Sequence, residues 1–168
     1  MLTLLKTLFQ PKKINAALAW QQAGNDAGRD YWLFAMPVHL VLQRDSFSLS
    51  EPAPLPLEVD EWVALTGALN QHFGIDDIQF FWHQTKWFLS LKTNPNIQTT
   101  PPQTVINKDI STFLPTGRGA MQWAKFQNEI QMLLFAHPVN LARETNKLPA
   151  VNSIWCYGVG VMENKNAN

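Results

Sequence analysis

A proline placed at the end of an apolar helical repeat constrains how the last third of this chain can fold. From Met121 to His137, apolar side chains recur at three- and four-residue steps, which predicts an amphipathic helix with one buried face. Pro138 ends that helix, because its ring removes an amide donor and disfavours a helical conformation at the preceding residue. The predicted face consists of Trp123, Phe126, Ile130, Leu133, Leu134 and His137.

A short helix and a strand are predicted beyond this proline. Asn140, Arg143 and Glu144 fall on adjacent faces of a helical turn. The β-branched and aromatic run 151–157 then predicts a strand. Gly158-Val-Gly160 closes the strand and allows the backbone to approach a neighbour or a ligand closely.

Upstream, the sequence predicts short helices, two hairpins and one longer helix. Pro37 marks a bulge or an edge in the first strand, and the prolines within 51–57 predict an extended connector. Residues 93–119 form a long irregular region, and 161–168 a frayed polar tail. The predicted helices cover 1–9, 13–22 and 58–73, and the predicted strands cover 31–42, 46–50, 78–83 and 85–91. The positions expected to be buried are Ile14, Ala17 and Leu18 in the second helix, and Val59, Trp62, Val63, Leu65 or Thr66, Leu69 and Phe73 in the third.

The order of these elements predicts the fold class. After short helices in residues 1–28, the order ββα-ββ-loop-αβ predicts an α+β fold, in which an antiparallel or mixed sheet carries helices mainly on one face. The chain has 168 residues, of which 46% are hydrophobic, and it therefore suits a single domain, 1–168, with a packed core.

The charge balance limits the classes of partner. Lys+Arg and Asp+Glu number 13 each, and charged residues make up only 15% of the chain, so no nucleic-acid surface is expected. Trp82, Trp87 and Phe88 lie in paired strands with Lys86 and Lys92, an arrangement that would suit base stacking, but the balanced charge and the alternation in the hairpin favour core packing. Cys156 is the single cysteine, so no internal disulfide forms, and its apolar strand predicts an inert core thiol.

The apolar segment 1–9 is the candidate for targeting or association. It contains Lys6, lacks a small-residue cleavage site and is much shorter than the roughly 20 apolar residues of a membrane span. We therefore expect a cytoplasmic protein without membrane association. A helix from Leu2 to Phe9 that packs against a sister subunit would make the protein a homo-oligomer.

A set of polar residues near the last strand forms the first candidate ligand site. An arginine with two amides and a hydroxyl can hold a carboxylate or a phosphate, because the guanidinium supplies parallel donors. The structural alternative is an ordinary ion pair of Arg143 with Glu144 or Glu129, with Asn152 capping a turn. The set consists of His137, Asn140, Arg143, Glu144, Asn152 and Ser153.

Thr99 and Thr100 form a second candidate at the start of the long irregular region. Two hydroxyls ahead of the rigid Pro101 can donate to an anion, or they can cap a turn. The sequence contains no Gly-rich phosphate loop, no Ser-His-Asp pattern and no CxxC pair, and no cofactor or metal is expected.

Several runs of this chain resemble one known family. They are similar to the HPVN…RE…LPPVNSLW…GxG pattern of a proteobacterial family that is grouped beside the cofactor-independent phosphoglycerate mutases. The resemblance covers roughly residues 30–160. The runs that carry it are His137-Pro-Val-Asn140, Ala142-Arg-Glu144, Leu148-Pro-Ala-Val-Asn-Ser-Ile-Trp155 and Gly158-Val-Gly160, with Asn128-Glu-Ile-Gln-Met132, Thr99-Thr-Pro101 and Pro37-Val-His-Leu40 upstream.

The resemblance implies which part of a mutase this chain corresponds to. Such mutases hold two divalent metals with Asp and His side chains beside a nucleophilic serine, in a core of a few hundred residues. This chain has no room for that core, so the resemblance is to the inserted substrate-binding portion. Gln98-Thr-Thr-Pro101 stands where the mutases carry an acidic stretch near substrate, so those carboxylates are missing. The four histidines lie in different predicted elements: His39, His72, His83 and His137.

The function expected is a non-catalytic binding or regulatory module for a small anionic or phosphorylated metabolite. A divergent phosphoglycerate mutase or phosphatase-like enzyme is one alternative, and a protein-interaction module is another. A cluster of carboxylates and imidazoles in the folded chain would favour the enzyme. A basic pocket without metal ligands would favour the binding module.

Overall fold

The structure of this protein, a computed structural model, describes residues 13–163. The segment 1–9, with its predicted role in association, and the last five residues of the chain lie outside the described part. Four helices are present among the described residues: α1 (Ala16–Gln22), α2 (Val59–Phe73), α3 (Ala120–Phe135) and α4 (Pro138–Thr145). The strands are β1 (Tyr31–Val38), β2 (Leu40–Leu42), β3 (Phe47–Leu49), β4 (Ile78–His83), β5 (Lys86–Leu91) and β6 (Ser153–Gly160).

Four of the strands form an antiparallel sheet in the order β4-β5-β1-β6, and β2 and β3 form a separate ribbon. This confirms the predicted α+β class. The predicted strand 31–42 is divided at His39, whose Nδ1 donates to the carbonyl of Ala150 at 2.7 Å. The chain thereby leaves the sheet and begins the ribbon at Leu40.

Pro37 lies in the central strand β1 at a position where one side of the strand has no partner strand. β5 pairs with β1 only from Tyr31 to Phe34, and beyond that point the carbonyl of Pro37 accepts from the amide of Leu55. The ring therefore removes no ladder hydrogen bond, as expected of an edge position. The bulge lies elsewhere, in β6 opposite the stretch from Trp32 to Phe34, where Gly158 has a φ of +72°.

Helices cover the two faces of the sheet unequally. The long helices α2 and α3 pack on one face and form the main core with residues such as Leu33, Leu69 and Ile130. On the opposite face α1 places Trp20 against Trp32, with ring centroids 4.8 Å apart. The expectation of helices mainly on one face is confirmed, and α1 is the exception.

Two of the predicted helical faces are partly wrong. In α1 the buried side chains are Ala16, Ala17 and Trp20, whereas Ile14 and Leu18 are exposed. The reason is that Trp20 has the largest apolar side chain in this helix and packs against the sheet. In α2 the predicted residues are buried except Val59 and Val63, which lie outside the buried arc.

The glycines of β6 bring the start of α1 against the sheet. A β-carbon at Gly158 would lie 2.9 Å from Cγ2 of Ile14, and one at Gly160 would collide with the side chain of Asn15. Both glycines lie within β6, whose boundaries are shifted toward the C-terminus relative to the predicted strand. The close neighbour that the glycines admit is therefore a segment of the same chain.

Three asparagine side chains act as substitutes for a strand partner. Each donates from Nδ2 to the carbonyl of one residue and accepts at Oδ1 from the amide of the same residue, at distances from 2.6 to 2.9 Å. Such pairs satisfy backbone groups that no strand reaches. The pairs are Asn70 with Phe80, Asn140 with Val151, and Asn152 with Leu40.

The long irregular region packs on the β2–β3 ribbon. Val105 and Ile110 are buried with Leu49 in a small core, and Asn107 donates its amide to the carbonyl of Leu49 at 2.7 Å. Two 3-10 turns, Pro102–Thr104 and Ser111–Phe113, interrupt the loop. None of the helices within residues 13–163 has the length and apolar character that crossing a membrane requires.

Asn140 gives a test of this architecture. Asn140→Ala removes three side-chain hydrogen bonds, to the carbonyls of Leu134 and Val151 and from the amide of Val151. At about 1 kcal/mol for each bond, we expect a loss of about 3 kcal/mol in the free energy of unfolding, measured with urea. The exposed Asn128→Ala should change it by less than about 0.5 kcal/mol. Equal effects of the two substitutions would contradict this account.

Candidate functional site

Arg143 is buried and its guanidinium is engaged by protein groups. Its side chain is 5% exposed, and Nη1 donates to both carboxylate oxygens of Glu61 at 2.9 and 3.0 Å. Nε donates to the carbonyl of Pro149 at 2.8 Å. The ion-pair partner is thus Glu61 on α2, and the predicted partners Glu144 and Glu129 are wrong. The same Glu61 accepts from the amide of Glu58 in a capping box, so one carboxylate joins the start of α2 to α4.

His137 and Asn140 begin α4 and fix it to its neighbours. His137 is the N-cap residue of α4, and its Nδ1 accepts from the amide of Val139 at 3.1 Å. Burial lowers the pKa of His137 below its ordinary value of 6.5, because desolvation disfavours the charged imidazolium. Asn140 binds the last turn of α3 and the segment ahead of β6 through its amide.

The remaining predicted residues lie along β6. Oγ of Ser153 accepts from Gln131 at 3.1 Å, and the amide of Asn152 pairs with Leu40. Toward the other end of β6, Oγ1 of Thr99 accepts from the amide of Gly158, and the carbonyl of Thr100 accepts from Nε1 of Trp155. Glu144 is exposed on α4. These contacts are all internal to the protein, and a ligand-binding role for this set stays a prediction.

A groove of about 810 Å³ opens on the surface of the described part of the chain. It lies between the 3-10 turn Gly74–Asp76, the residues 92–96 that follow β5, and the first turns of α3. Phe73, Ile78, Leu91 and Phe126 contribute apolar surface. A groove of this volume is in the range that small-molecule sites occupy. Its polar and charged lining residues are Asp76, Asp77, Lys92, Thr93, Asn94, Asn96, Arg118, Gln122, Lys125 and Glu129.

Two glycines shape one rim of the groove. A β-carbon at Gly117, which has a φ of +112°, would lie 2.6 Å from the carbonyl oxygen of Asn96, and one at Gly119 would collide with the carbonyl of Pro95. The amide of Gly119 donates to the carbonyl of Asn96 at 3.0 Å. Only glycine allows this backbone-to-backbone contact, and it holds Arg118 at the mouth of the groove. The Gly-Arg-Gly run ahead of α3 is the sequence signal for this site, and its residues are not among the predicted site residues.

The start of α3 presents a positive surface to the groove. Its N-cap is Gly119, which has no side chain to satisfy the first amides, and its first turn contains no acidic residue. Arg118 and Lys125 flank this end of the helix. Nη2 of Arg118 donates a hydrogen bond to Oδ1 of Asn96 at 3.3 Å. Within residues 13–163, neither cation forms an ion pair.

Trp123 also lines the groove. It is 5% exposed, and its Nε1–H is buried and has no hydrogen-bond partner among the described residues. Buried donors are normally satisfied, and this indole is one of three buried side-chain atoms without a partner among the described residues, together with Nε1 of Trp87 and Oε1 of Gln127.

No group of three or more His, Cys, Asp and Glu within residues 13–163 is arranged to hold a metal ion. Burial raises the pKa of Cys156 to about 12, so its thiol is not ionised near neutral pH.

Comparison with known proteins finds relatives with one recurring name. No protein-family model matches the sequence. The chain is 33% identical over 100 residues to the 2,3-bisphosphoglycerate-independent phosphoglycerate mutase of Methanosarcina barkeri. The matched region covers 57% of this chain and 25% of that protein. It is 30% identical over 105 residues to the enzyme of the same name from Methanosarcina mazei, covering 60% of this chain and 26% of the relative. It is 29% identical over 126 residues to a probable enzyme of that name from Geobacter sulfurreducens, covering 73% and 31%.

A solved structure shows a related fold. The cofactor-independent phosphoglycerate mutase from Thermoplasma acidophilum superposes with a TM-score of 0.61 and 13% identity, over 90% of this chain and 42% of that one. The chain thus spans about a quarter to a third of the length of the curated relatives, and it is similar to a portion of these mutases. The proteobacterial pattern named above stays a prediction.

His137 gives a test at the start of α4. Because its pKa is lowered on folding, the unfolded chain binds the proton more readily, and stability should fall as the pH drops below about 6.5. His137→Asn keeps an N-cap acceptor but cannot titrate in this range. Between about pH 7.5 and about pH 5.5, we expect the wild-type protein to lose more unfolding free energy than the variant in urea titrations. Parallel pH curves for the two proteins would contradict the assignment.

Proposed function

We propose that this chain is a binding domain, without catalysis of its own, that holds a small anionic or phosphorylated metabolite in the groove at the start of α3. The single observation that carries the proposal is the groove itself. Its two cations, Arg118 and Lys125, form no ion pair within residues 13–163, and they lie beside the first amides of α3, which no side chain caps. A phosphate or carboxylate bound there would receive charge-assisted hydrogen bonds from both side chains.

The surrounding residues suit an anion with several oxygens. Asn94, Asn96 and Gln122 line the same groove and offer neutral amide donors close to the two cations. Nδ2 of Asn96 donates to the carbonyl of Asn94 at 3.1 Å, and the amide of Asn96 is held by Oδ1 of Asn94, so this rim is preorganised. Preorganised donors lose little conformational entropy on binding, which favours affinity.

The comparisons support a phosphorylated three-carbon acid as the first ligand to try. The relatives are named for a reaction of phosphoglycerate, and this chain matches a portion of their length. A divergent mutase or phosphatase-like enzyme is the second candidate, favoured by the identity of 33% to a protein with that name. An assay of the full chain with 2-phosphoglycerate, Mg²⁺ and Mn²⁺ tests it, and turnover that scales with protein concentration would establish the enzyme.

Calorimetric titration of the 168-residue chain with 3-phosphoglycerate tests the binding proposal. We expect saturable binding in the absence of divalent metal. Arg118→Gln and Lys125→Gln should each weaken the affinity about tenfold, because each removes about 1.4 kcal/mol of charge-assisted contact. Lys147→Gln, on the exposed turn after α4, is the matched control and should leave affinity unchanged.

The outcomes separate the candidates. Absence of binding at millimolar ligand by a protein that unfolds cooperatively would overturn the proposal. Binding that the control substitution weakens as much as Arg118→Gln and Lys125→Gln do would show non-specific attraction and would also overturn it.

A further inference from the structure

The groove carries charges of both signs, and they come from different segments. Arg118 and Lys125 belong to the start of α3 and the residue ahead of it, whereas Asp76 and Asp77 belong to the turn that follows α2. The two segments are joined through the core between α2 and α3 and through residues 91–96, because Ile78 pairs with Leu91 and Gly119 donates to Asn96, so the fold sets where the two segments lie. A ligand in the groove therefore meets cations at one segment and carboxylates at the other.

We propose that the ligand is dipolar: it carries an acidic group that binds at Arg118 and Lys125 and an ammonium group that binds at Asp76 and Asp77. This inference rests on the proposed function and names the class of ligand for the same groove. The class is that of phosphorylated or carboxylated amino compounds, as distinct from acids that carry no ammonium group.

The other charges of the groove are already paired, which leaves these four for a ligand. Lys92 binds Asp30 through both carboxylate oxygens at 2.9 and 3.0 Å, and Glu129 lies 3.4 Å from Nε2 of His72. Within residues 13–163, no ion pair involves Asp76 or Asp77. An unpaired carboxylate beside a ligand attracts an ammonium group and repels a second anion.

The backbone fixes the acidic segment. Asp76 ends the 3-10 turn, and Asp77 has a left-handed φ of 58° that directs the chain into β4. The next residue, Ile78, pairs with Leu91 in the sheet, and both line the groove. The carboxylates are therefore anchored to the sheet within one or two residues.

The groove is also lined by Trp123. Its indole N–H is buried and lacks a partner among the described residues.

Two commercially available compounds separate the charge preference from the acid requirement. O-phospho-D-serine and 3-phospho-D-glycerate share a three-carbon skeleton with a phosphate and a carboxylate and have the same configuration at the central carbon. They differ by an ammonium in place of a hydroxyl at that carbon. Both are titrated calorimetrically into the full chain without divalent metal. We expect phosphoserine to bind about tenfold more tightly, because only phosphoserine offers a cation to the carboxylates.

The double substitution Asp76→Asn, Asp77→Asn should abolish this preference. Asparagine tolerates the left-handed conformation at position 77 and keeps the side-chain size, so the turn is expected to fold. The variant should bind phosphoserine about tenfold more weakly and phosphoglycerate at least as tightly as before. Asp45→Asn, in the exposed turn between β2 and β3, is the matched control and should alter neither affinity. Urea unfolding of each variant checks that the fold is kept.

The possible results distinguish this inference from the proposed function. Equal affinity for the two compounds, with the dependence on Arg118 retained, overturns the dipolar ligand and leaves the proposed function standing. A preference for phosphoserine that survives the double substitution also overturns the inference. Binding of neither compound overturns the proposed function itself.

Discussion

The buried amide of Asn140 is the contact on which the arrangement of α3, α4 and β6 depends. It holds the carbonyl of Leu134 in the last turn of α3 and both backbone groups of Val151 ahead of β6. Because a buried polar group must find partners, this amide permits one relative position of helix and strand. Arg143 extends the constraint to α2 through Glu61. The orientation of α3 is thereby fixed at its C-terminal end, and its N-terminal end forms a wall of the groove.

The helices and strands that depend on local sequence could be predicted. The three- and four-residue spacing of apolar side chains and the ring of Pro138 define α3 and α4, because both effects act within a few residues. The short apolar runs on either side of the turn at His83-Gln84 define β4 and β5 for the same reason, although β5 is buried on both faces. The pairing of Arg143 with Glu61 could not be predicted, since the two residues are 82 positions apart and many carboxylates were available. The burial of Trp20 in place of Leu18 likewise depends on the sheet that α1 meets.

The candidate site illustrates the same limit more sharply. An arginine with nearby amides has the same composition whether it binds a ligand or the protein itself, and the sequence does not distinguish the two. Around α4 the donors face backbone carbonyls and a carboxylate. The groove, in contrast, is assembled by residues 92–96 and 117–119, which meet through the contact of Gly119 with Asn96. Glycines that precede a helix are common, and the consequence of this pair follows only from the three-dimensional contact.

Incomplete pairing distinguishes the groove from the polar groups that surround α4 and the start of β6. At α4 and β6, asparagine, arginine and threonine side chains are matched to partners within the protein. At the groove, Arg118, Lys125, Asp76 and Asp77 form no ion pair within residues 13–163, and the N–H of Trp123 has no partner there. A chain with equal numbers of acidic and basic residues could pair these charges with one another. The fold instead holds them on separate segments around an open volume, and a ligand that complements both signs gains from each without the fold having to change.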